Sequence, residues 1–459
     1  MEQPTVLKFG GTSMDDEHTW RRVMDIIKRY DDPLVVVSAT ARTTRRLLEA
    51  AETAVGDLQG AMQLNEEIAD RHRKLISNFL NHHNPGDRQQ IQEACYRWID
   101  DRMEELNRYL QSINRDQHLS PGIRDAVAST GEQLSSFLFA RAAKVYGLNT
   151  RMIDAGTVIK TDAAFGRANP QMDQIGERAM VLAELISDGI IPIVGGYFGR
   201  NESGELTTLG FEGSDYTASI LGSVLNAKAV EIWTDVSGIY TCDPRYVEQA
   251  SPIPAMTFRE ATELAYFGAK VLHPATMKPA ARQQIPVLVK NIFEPDHSGT
   301  WIGPEADSPT MVRAMTFLED IAIVTVTSGE MLMGYEFLSG VFGILDRHHL
   351  TVDVVTTTEA SVSIALKKGP GLEEAIEELN ELGTTTTTDN KGLISLIGCS
   401  VDKTRDILQT VLQSVAKSEI AMISFSRSKQ NLNIVMDEAE LLDAVRLIHD
   451  SLFVITGAT

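Results

Sequence analysis

Cysteine is scarce: Cys95, Cys242 and Cys399 are the only three in 459 residues, and they stand far apart. No CxxC pair occurs, so neither a disulfide framework nor a zinc-ligand spacing is written in the chain. Three isolated thiols suit a reducing compartment. No apolar run reaches the roughly 18 residues that a membrane span needs. The opening MEQPTVLKFGG enters a strand-like run at once, without the basic stretch and apolar segment of a secretory signal. Positive charge is also short. Lys plus Arg number 42 against 63 Asp plus Glu, a net charge of −21 spread along the chain. Such a chain repels nucleic-acid phosphates unless it carries a basic stripe, and none is seen. The expectation is a soluble cytoplasmic protein that binds neither nucleic acid nor membrane. Hydrophobic residues make up 43% and charged residues 23%, ordinary globular usage. A chain of this length holds about three domains, each able to build its own core.

The first two-thirds alternate strand-like and helical patterns. Val6–Phe9, Leu34–Val37, Asp125–Ala128, Ile190–Val194, Val230–Trp233 and Val287–Val289 read as strands. Asp15–Tyr30, Gln133–Tyr146, Asp173–Ser187 and Ser214–Leu225 read as helices. The alternation predicts an α/β domain with a mostly parallel sheet. Residues 58–112 break the rhythm: charged, poor in glycine and helical in period, with a turn at Asn84-Pro85-Gly86. They read as a helical hairpin inserted into the α/β domain.

Pro, Gly, Asp and Ser cluster at 296–309, and the pattern then changes to short strands and helices. Leu350–Val355 and Ser361–Leu366 overlay Ile420–Phe425 and Asn431–Met436 at a constant offset of about 70 residues, which predicts two copies of a βαββαβ unit. The five threonines at 384–388 read as a loop-to-strand connection. The domain boundaries drawn are 1–305, 315–390 and 391–459.

Four segments could carry chemistry. Lys8-Phe9-Gly10-Gly11-Thr12-Ser13 ends a strand and precedes a helix. Its glycines let backbone N–H groups approach an anion, and Lys8 adds a full charge. Neither GxxxxGK[ST] nor GxGxxG occurs. Thr207-Thr208-Leu209-Gly210-Phe211-Glu212-Gly213-Ser214-Asp215-Tyr216 turns into a helix, with Ser214 read as its N-cap and Asp215 in its first turn. Trp233-Thr234-Asp235-Val236-Ser237-Gly238-Ile239-Tyr240 ends a strand and leads to Arg245. Phe267-Gly268-Ala269-Lys270-Val271-Leu272-His273-Pro274 brings another lysine. Each alone fits a purely structural role.

Together, in this order, with Ser129-Thr-Gly-Glu132 and Phe165-Gly-Arg-Ala168, they resemble the amino acid kinase family, and most closely the aspartokinases. The resemblance covers essentially the whole chain. It implies a three-layer α/β sandwich with a mostly parallel sheet, followed by two ferredoxin-like α+β ACT domains. It further implies transfer of the γ-phosphoryl group of ATP, with Mg2+, to the side-chain carboxylate of L-aspartate, the step that leads toward lysine, threonine and methionine. Lys8 and Asp215 would be catalytic, with Gly10 and Gly11 beside them. Thr234, Asp235, Tyr240, Arg245, Lys270 and Val271 would cradle the nucleotide. Ser38, Thr44 and Glu132 would hold aspartate, Glu132 facing its ammonium. His273 is read as structural, because a carboxylate nucleophile needs no base. Met331, Gly334, Phe337, Leu338, Val352 and Asp353 would bind an inhibitory lysine or threonine, lysine favoured by Glu336. The ACT units would pair copies into a homo-oligomer.

Three departures from the family pattern stand out. Phe211 replaces the arginine that clamps the substrate carboxylate, Arg42, Arg45 and Arg46 crowd the second loop, and Thr130 replaces a histidine. Another arginine then takes the clamp, or the acceptor is a related amino acid or carboxylate. An effector-sensing subunit with weak catalysis is the reading from a different class, and the retention of Lys8, Glu132, Asp215 and Lys270 speaks against it.

Overall fold

A computed structural model describes residues 3–83, 85–268, 273–306, 311–329, 335–426 and 430–453. Contacts divide the chain into two units, Met1–Ile239 with Leu272–Glu305, and Tyr240–Val271 with Ala306–Thr459. The sequence boundary at 305 therefore differs in one respect: residues 240–271 group with the C-terminal part of the chain.

The first unit opens with β1 (Thr5–Phe9), α1 (Glu17–Ile27), β2 (Pro33–Val37) and α2 (Thr43–Thr53). Three long helices follow, α3 (Leu58–His83), α4 (Arg88–Asp116) and α5 (Pro121–Val145). Then come β3 (Thr150–Ile153), α6 (Ala155–Val158), α7 (Met172–Ser187), β4 (Ile191–Gly195), the hairpin β5 (Phe198–Arg200) and β6 (Leu206–Thr208), α8 (Gly213–Val224) and β7 (Ala229–Thr234). The chain passes through β8 (Ala255–Thr257) and α9 (Phe258–Tyr266) in the second unit. It returns for α10 (Pro274–Arg282), β9 (Val287–Asn291) and β10 (Thr300–Gly303).

The main strands of this unit run in the order β3-β4-β2-β1-β7-β9-β10, parallel except for β10 against β9. The middle strands are covered on both faces, which is why Pro33-Leu-Val-Val-Val37 is an unbroken buried run. Parallel pairing also brings the C-terminal ends of β1, β2, β4 and β7 to one edge. Gly10, Ser38, Gly196 and Asp235 follow those ends directly, and ligands of open parallel sheets bind there.

Asp125–Ala128, expected as a strand, lies inside α5. Ser120 caps that helix by accepting the Ile123 N–H, and Pro121 stands in its first turn. Two alanines are good helix formers, and a four-residue apolar run cannot by itself separate a strand from a buried helix. Gln133–Tyr146 is only the second half of the same helix. The expected hairpin is α3 and α4, locked by Asn65, whose side-chain amide donates to Met103 O at 3.2 Å and to Asn107 Oδ1 at 2.7 Å.

The second unit continues with β11 (Ala314–Ser328), α11 (Tyr335–Arg347), β12 (Val352–Thr357), β13 (Ser361–Lys367), α12 (Leu372–Leu382), β14 (Gly383–Ile397), α13 (Thr404–Ser414), β15 (Ile420–Ser426), β16 (Asn431–Asp437) and α14 (Glu438–Phe453). Its antiparallel sheet runs β12-β13-β11-β14-β16-β15. The repeat is visible in detail. Val352 faces Leu366 and Ile420 faces Met436, and a bulge follows each pair, between Val352 and Val354 and between Ile420 and Met422. The constant offset does not hold for the first strand of each pair, since Val352 and not Leu350 is the counterpart of Ile420.

Both copies share two long strands. Ile321–Thr327 pairs with β13 and with Thr384–Thr388, whereas Ala314–Leu318 pairs with Leu393–Ile397. The second copy thus takes one strand, Ala314–Leu318, from the stretch drawn as the first copy, across the boundary at 391. The five threonines are strand rather than connection, since β-branched residues fit the pleat.

Beneath the sheet edge of the first unit, Glu231 of β7 accepts from Tyr30 Oη at 2.6 Å and from Trp233 Nε1 at 3.0 Å, with Lys290 Nζ at 3.9 Å. Glu231→Leu leaves two donors without their acceptor, and a loss of about 2–4 kcal/mol is expected in urea unfolding.

Candidate active site

Lys8 lies one residue before the end of β1, and Asp215 lies in the first turn of α8. Lys8 Nζ and Asp215 Oδ1 stand 2.8 Å apart, with each side chain only 10% exposed. The α8 start is not capped by Ser214, as the sequence suggested. Its N-cap is Glu212, in the left-handed region at φ 53° with no side-chain cap bond. The Glu212 carboxylate instead accepts the backbone N–H of His273. Burial, then the charge of Asp215, pushes the Glu212 pKa up, and the His273 N–H and Lys8 hold it back.

Close backbone approaches assemble the rest. The Gly10 N–H donates to Trp233 O at 3.3 Å, which seats the glycine turn against the end of β7. A Cβ on Gly11 would come to 3.3 Å from Ala39 O, and one on Gly131 to 2.8 Å from Ala39 Cβ. Only glycine at 131 lets α5 pass so near the loop after β2. Ser38 is held by its N–H to Phe9 O at 3.1 Å and by Ser135 Oγ, which donates to Ser38 O at 2.7 Å. Thr44 sits in the first turn of α2.

Glu132, on the buried face of α5, is 4% exposed, and its Oε2 has no hydrogen-bond partner. Burial pushes its pKa up to about 8, against the pull of the Ala39 N–H, its own N–H and the Lys8 charge. Lys8, Gly10, Gly11, Ser38, Glu132 and Asp215 therefore converge at the sheet edge. Thr234 and Asp235 follow at the end of β7, Thr234 Oγ1 donating to Asp235 Oδ1 at 3.2 Å.

Tyr240 and Arg245 belong to the second unit, where the exposed Arg245 pairs with Asp243 at 2.5 Å. Lys270 and Val271 fall outside the described residues, as do Met331 and Gly334. Phe337 and Leu338 on α11 and Val352 on β12 pack on one core cluster of the first copy. Asp353 occupies the bulge of β12, and its Oδ2 has no partner. Burial raises its pKa to about 6, opposed by the Lys367 N–H and charge. His273 caps α10, its ring Nδ1 accepting the Ala275 N–H at 3.2 Å, the structural role expected of it.

Sequence reading missed Asp125, because it was placed on a strand. Its carboxylate, 2% exposed, accepts from Gly166 N at 2.9 Å, from Thr208 N at 2.8 Å and from Thr208 Oγ1 at 2.9 Å. It staples Phe165-Gly-Arg-Ala to Thr207-Thr-Leu-Gly. Tyr197 was missed too. It holds φ 74°, a strained value for a bulky residue, and its ring lies where a Cβ on Gly213 would come to 2.8 Å.

A profile of the amino acid kinase family matches residues 3–291. Lysine-sensitive aspartokinase 3 of Escherichia coli K12 is 34% identical over 473 aligned positions, covering 99% of this chain and 100% of the relative. Two crystal structures of E. coli aspartokinase III are also similar at 33% identity, each covering 98% of this chain and 100% of the other. One, in complex with aspartate and ADP, has a TM-score of 0.82, and the other, with lysine and aspartate, 0.80. The chain belongs to the amino acid kinase family, among the aspartokinases. It is an enzyme of that family, and the α/β and ACT-like architectures expected from the resemblance are those observed.

Within this aspartokinase frame Phe211 is the salient departure. Its ring is 77% exposed and meets His273 edge-on at 6.0 Å. Of the three arginines expected in the second loop only Arg42 lies there, at the N-cap of α2; Arg45 and Arg46 are on the helix, where Arg46 pairs with Glu67, and Arg42 and Arg45 are exposed.

The raised pKa of Glu132 has a measurable consequence. The folded chain keeps a proton that the unfolded chain releases above about pH 4.5, so stability falls as pH climbs from there through about 8. Glu132→Gln removes that slope. The unfolding free energy of the variant should gain on the parent between pH 5 and 8, at no more than about 1.4 kcal/mol per pH unit, and run parallel to it above.

Proposed function

We propose that this enzyme transfers the γ-phosphoryl group of ATP to the side-chain carboxylate of L-aspartate, giving ADP and 4-phospho-L-aspartate. The observation that carries this reading is the Lys8–Asp215 pair, set beside a glycine turn and a buried carboxyl with one oxygen left without a partner. Phosphoryl transfer spreads negative charge over oxygens and needs a positioned cation more than covalent help. Lys8 supplies the cation, Asp215 aims it, and the Gly10–Gly11 backbone leaves room for the transferring group. Glu132 receives the acceptor's ammonium, which draws its proton off, while Ser38 and Thr44 hold the acceptor's carboxylates. The nucleotide lies toward Thr234 and Asp235, with Tyr240, Arg245, Lys270 and Val271 as the further candidates to hold it.

Magnesium fits as an ion carried on the nucleotide. Among the described residues no group of three or more ligating side chains is gathered. One or two carboxylates, Asp215 with Glu212 beside it, together with phosphate oxygens make the usual Mg2+ donor set. When bound, the ion neutralises charge shared between the phosphates. The reaction is placed in the cytosol, which three buried free thiols suit, and at the step that leads toward lysine, threonine and methionine. Among the described residues no helix is long and apolar enough to cross a membrane.

A related amino acid as acceptor is the second reading, and the exposed Phe211 in place of a clamping arginine favours it. An ADP-release assay over acidic amino acids separates the two. Aspartate is expected to be the best acceptor, and Lys8→Met to lower its kcat at least 100-fold, about 3 kcal/mol, in a folded protein. A variant that keeps more than about a tenth of kcat removes Lys8 from the mechanism. Activity on another acid but none on aspartate overturns the acceptor.

The second unit is read as a feedback sensor that also pairs copies along the edge strands β12 and β15. Phe337, Leu338, Val352 and Asp353 are its described ligand residues, with Met331 and Gly334 as the remaining candidates. Asp353, whose Oδ2 has no partner in the bulge, is suited to an effector's ammonium. Tyr266 Oη donates to Val352 O at 3.1 Å, four residues before Lys270 in the sequence, which gives the sensor a short route to the nucleotide loop. Lysine, ahead of threonine, is expected to inhibit the initial rate and to bind in calorimetry, and Asp353→Ala to lose both responses. Millimolar lysine and threonine without effect would end the feedback assignment.

A further inference from the structure

The helical insertion has no role in the reading above, yet it grips the loop that carries Ser38 and Thr44. His72 of α3 is fully buried. Its Nδ1 lies 2.7 Å from Ile68 O and its Nε2 3.2 Å from Thr40 Oγ1. A carbonyl oxygen only accepts, so Nδ1 carries the proton and Nε2 is the acceptor. Burial lowers the pKa of the ring to about 4, which keeps it neutral. Thr40 Oγ1 must then donate to Nε2, and it accepts in turn from Thr43 Oγ1 at 2.5 Å. The chain of bonds is thereby directed from α2 into the insertion. Thr40 and Thr43 are each 1% exposed, so water cannot replace any link.

A second grip is independent of the imidazole. Arg71 Nη1 donates to Ala41 O at 2.6 Å, while the same guanidinium pairs with Asp15, just beyond the first glycine turn. Glu67, one turn earlier on α3, holds Arg46 of α2. Three side-chain positions along one stretch of α3 thus fix the segment that joins β2 to α2. Ser38 stands at its start and Thr44 just past its end.

We propose that His72 is a positioning residue for the acceptor amino acid, and that the helical insertion acts through it as the clamp on the Ser38–Thr44 loop. The proposal rests on the assignment of Ser38 and Thr44 to the acceptor. Loosening the loop should weaken acceptor binding while leaving the nucleotide, which is held from β7, nearly untouched.

The test uses the full-length enzyme and initial rates with aspartate and ATP varied separately. His72→Met keeps the volume and removes the acceptor, and is expected to raise the KM for aspartate about tenfold, with the KM for ATP within twofold of the parent. His72→Gln, which can place an amide oxygen near Nε2, should recover most of that loss. Thr40→Val removes the hydroxyl from the other side of the bond with little change of shape. It should reproduce the His72→Met effect, and the double variant should be no worse than either single one. Folded His72→Met or Thr40→Val with an unchanged KM for aspartate overturns the clamp, as does a parallel rise of both KM values. If His72→Met does not fold, Thr40→Val decides. Thr44→Ala tests the underlying assignment separately. If it leaves the KM for aspartate unchanged, the acceptor site has been misplaced, whereas a raised KM there with inert His72 and Thr40 variants rejects the clamp alone.

Discussion

The ion pair between Lys8 and Asp215 is the contact around which the first unit is arranged. Lys8 extends from the central strand, and Asp215 from the helix that follows the β5–β6 hairpin. A lysine so nearly buried requires a counter-charge, since an unpaired ion in that position costs several kcal/mol. Holding the counter-charge there requires α8 to begin beside the end of β1. That in turn fixes the turn at Gly210–Gly213 and the strained Tyr197, whose ring fills the place of a Gly213 side chain. The pair leaves a cation fixed in direction at the edge where parallel strands end, which is what a transferring phosphoryl group needs.

Close packing around that edge depends on small residues more than on hydrogen bonds. Gly11 and Gly131 both press on Ala39, and a Cβ on Gly195 would lie 3.0 Å from Glu132 O. The loops after β1, β2 and β4 and the helix that bears Glu132 share one tightly packed seam, so a shift in any of them is passed to the others. Asp125 adds a staple on the same helix two turns before Glu132, tying two further loops into that seam. The loops after β2, β4 and β6 are thus all anchored to one helix.

Much of this was legible in the sequence. Parallel strands announced themselves as continuous apolar runs, and the glycine turn with Lys8 was readable as anion-binding grammar before any fold was known. The helical insertion showed through its charge pattern and its Pro-Gly break. What escaped were features that local pattern does not encode. Asp125 sat in a short alanine-rich run that fits strand or helix, and only Ser120 and Pro121 before it signal the helix. Glu212 took the N-cap place expected of Ser214 because a left-handed residue, with no cap bond, turns the chain there. His72 gave no signal at all, since a histidine among helical charges looks like surface until α2 covers it. Residues 240–271 joined the C-terminal unit through contacts such as the buried Arg313–Glu260 pair, which no local window can anticipate.

The repeat in the second unit carries a constraint that its sequence did not reveal. Two independent βαββαβ copies would have separate cores and edges. Here β11 and β14 run through both, each giving one half to either copy, so neither copy can slide without carrying the other. Phe267, at the end of α9, is inserted where they meet, packed with Ile321, Ile323, Val354 and Ala365 of one copy and with Leu393, Met422 and Val435 of the other. Thr316 Oγ1 donates to Phe267 O at 3.2 Å from the shared strand. The bulge at Asp353 therefore belongs to a body that includes the strand carrying Val354, the ring of Phe267 and the hydroxyl of Tyr266. Tyr266 and Phe267, which close α9, are thus part of the core of the second unit, so that a displacement of β12 is met directly by the ring of Phe267 and the hydroxyl of Tyr266.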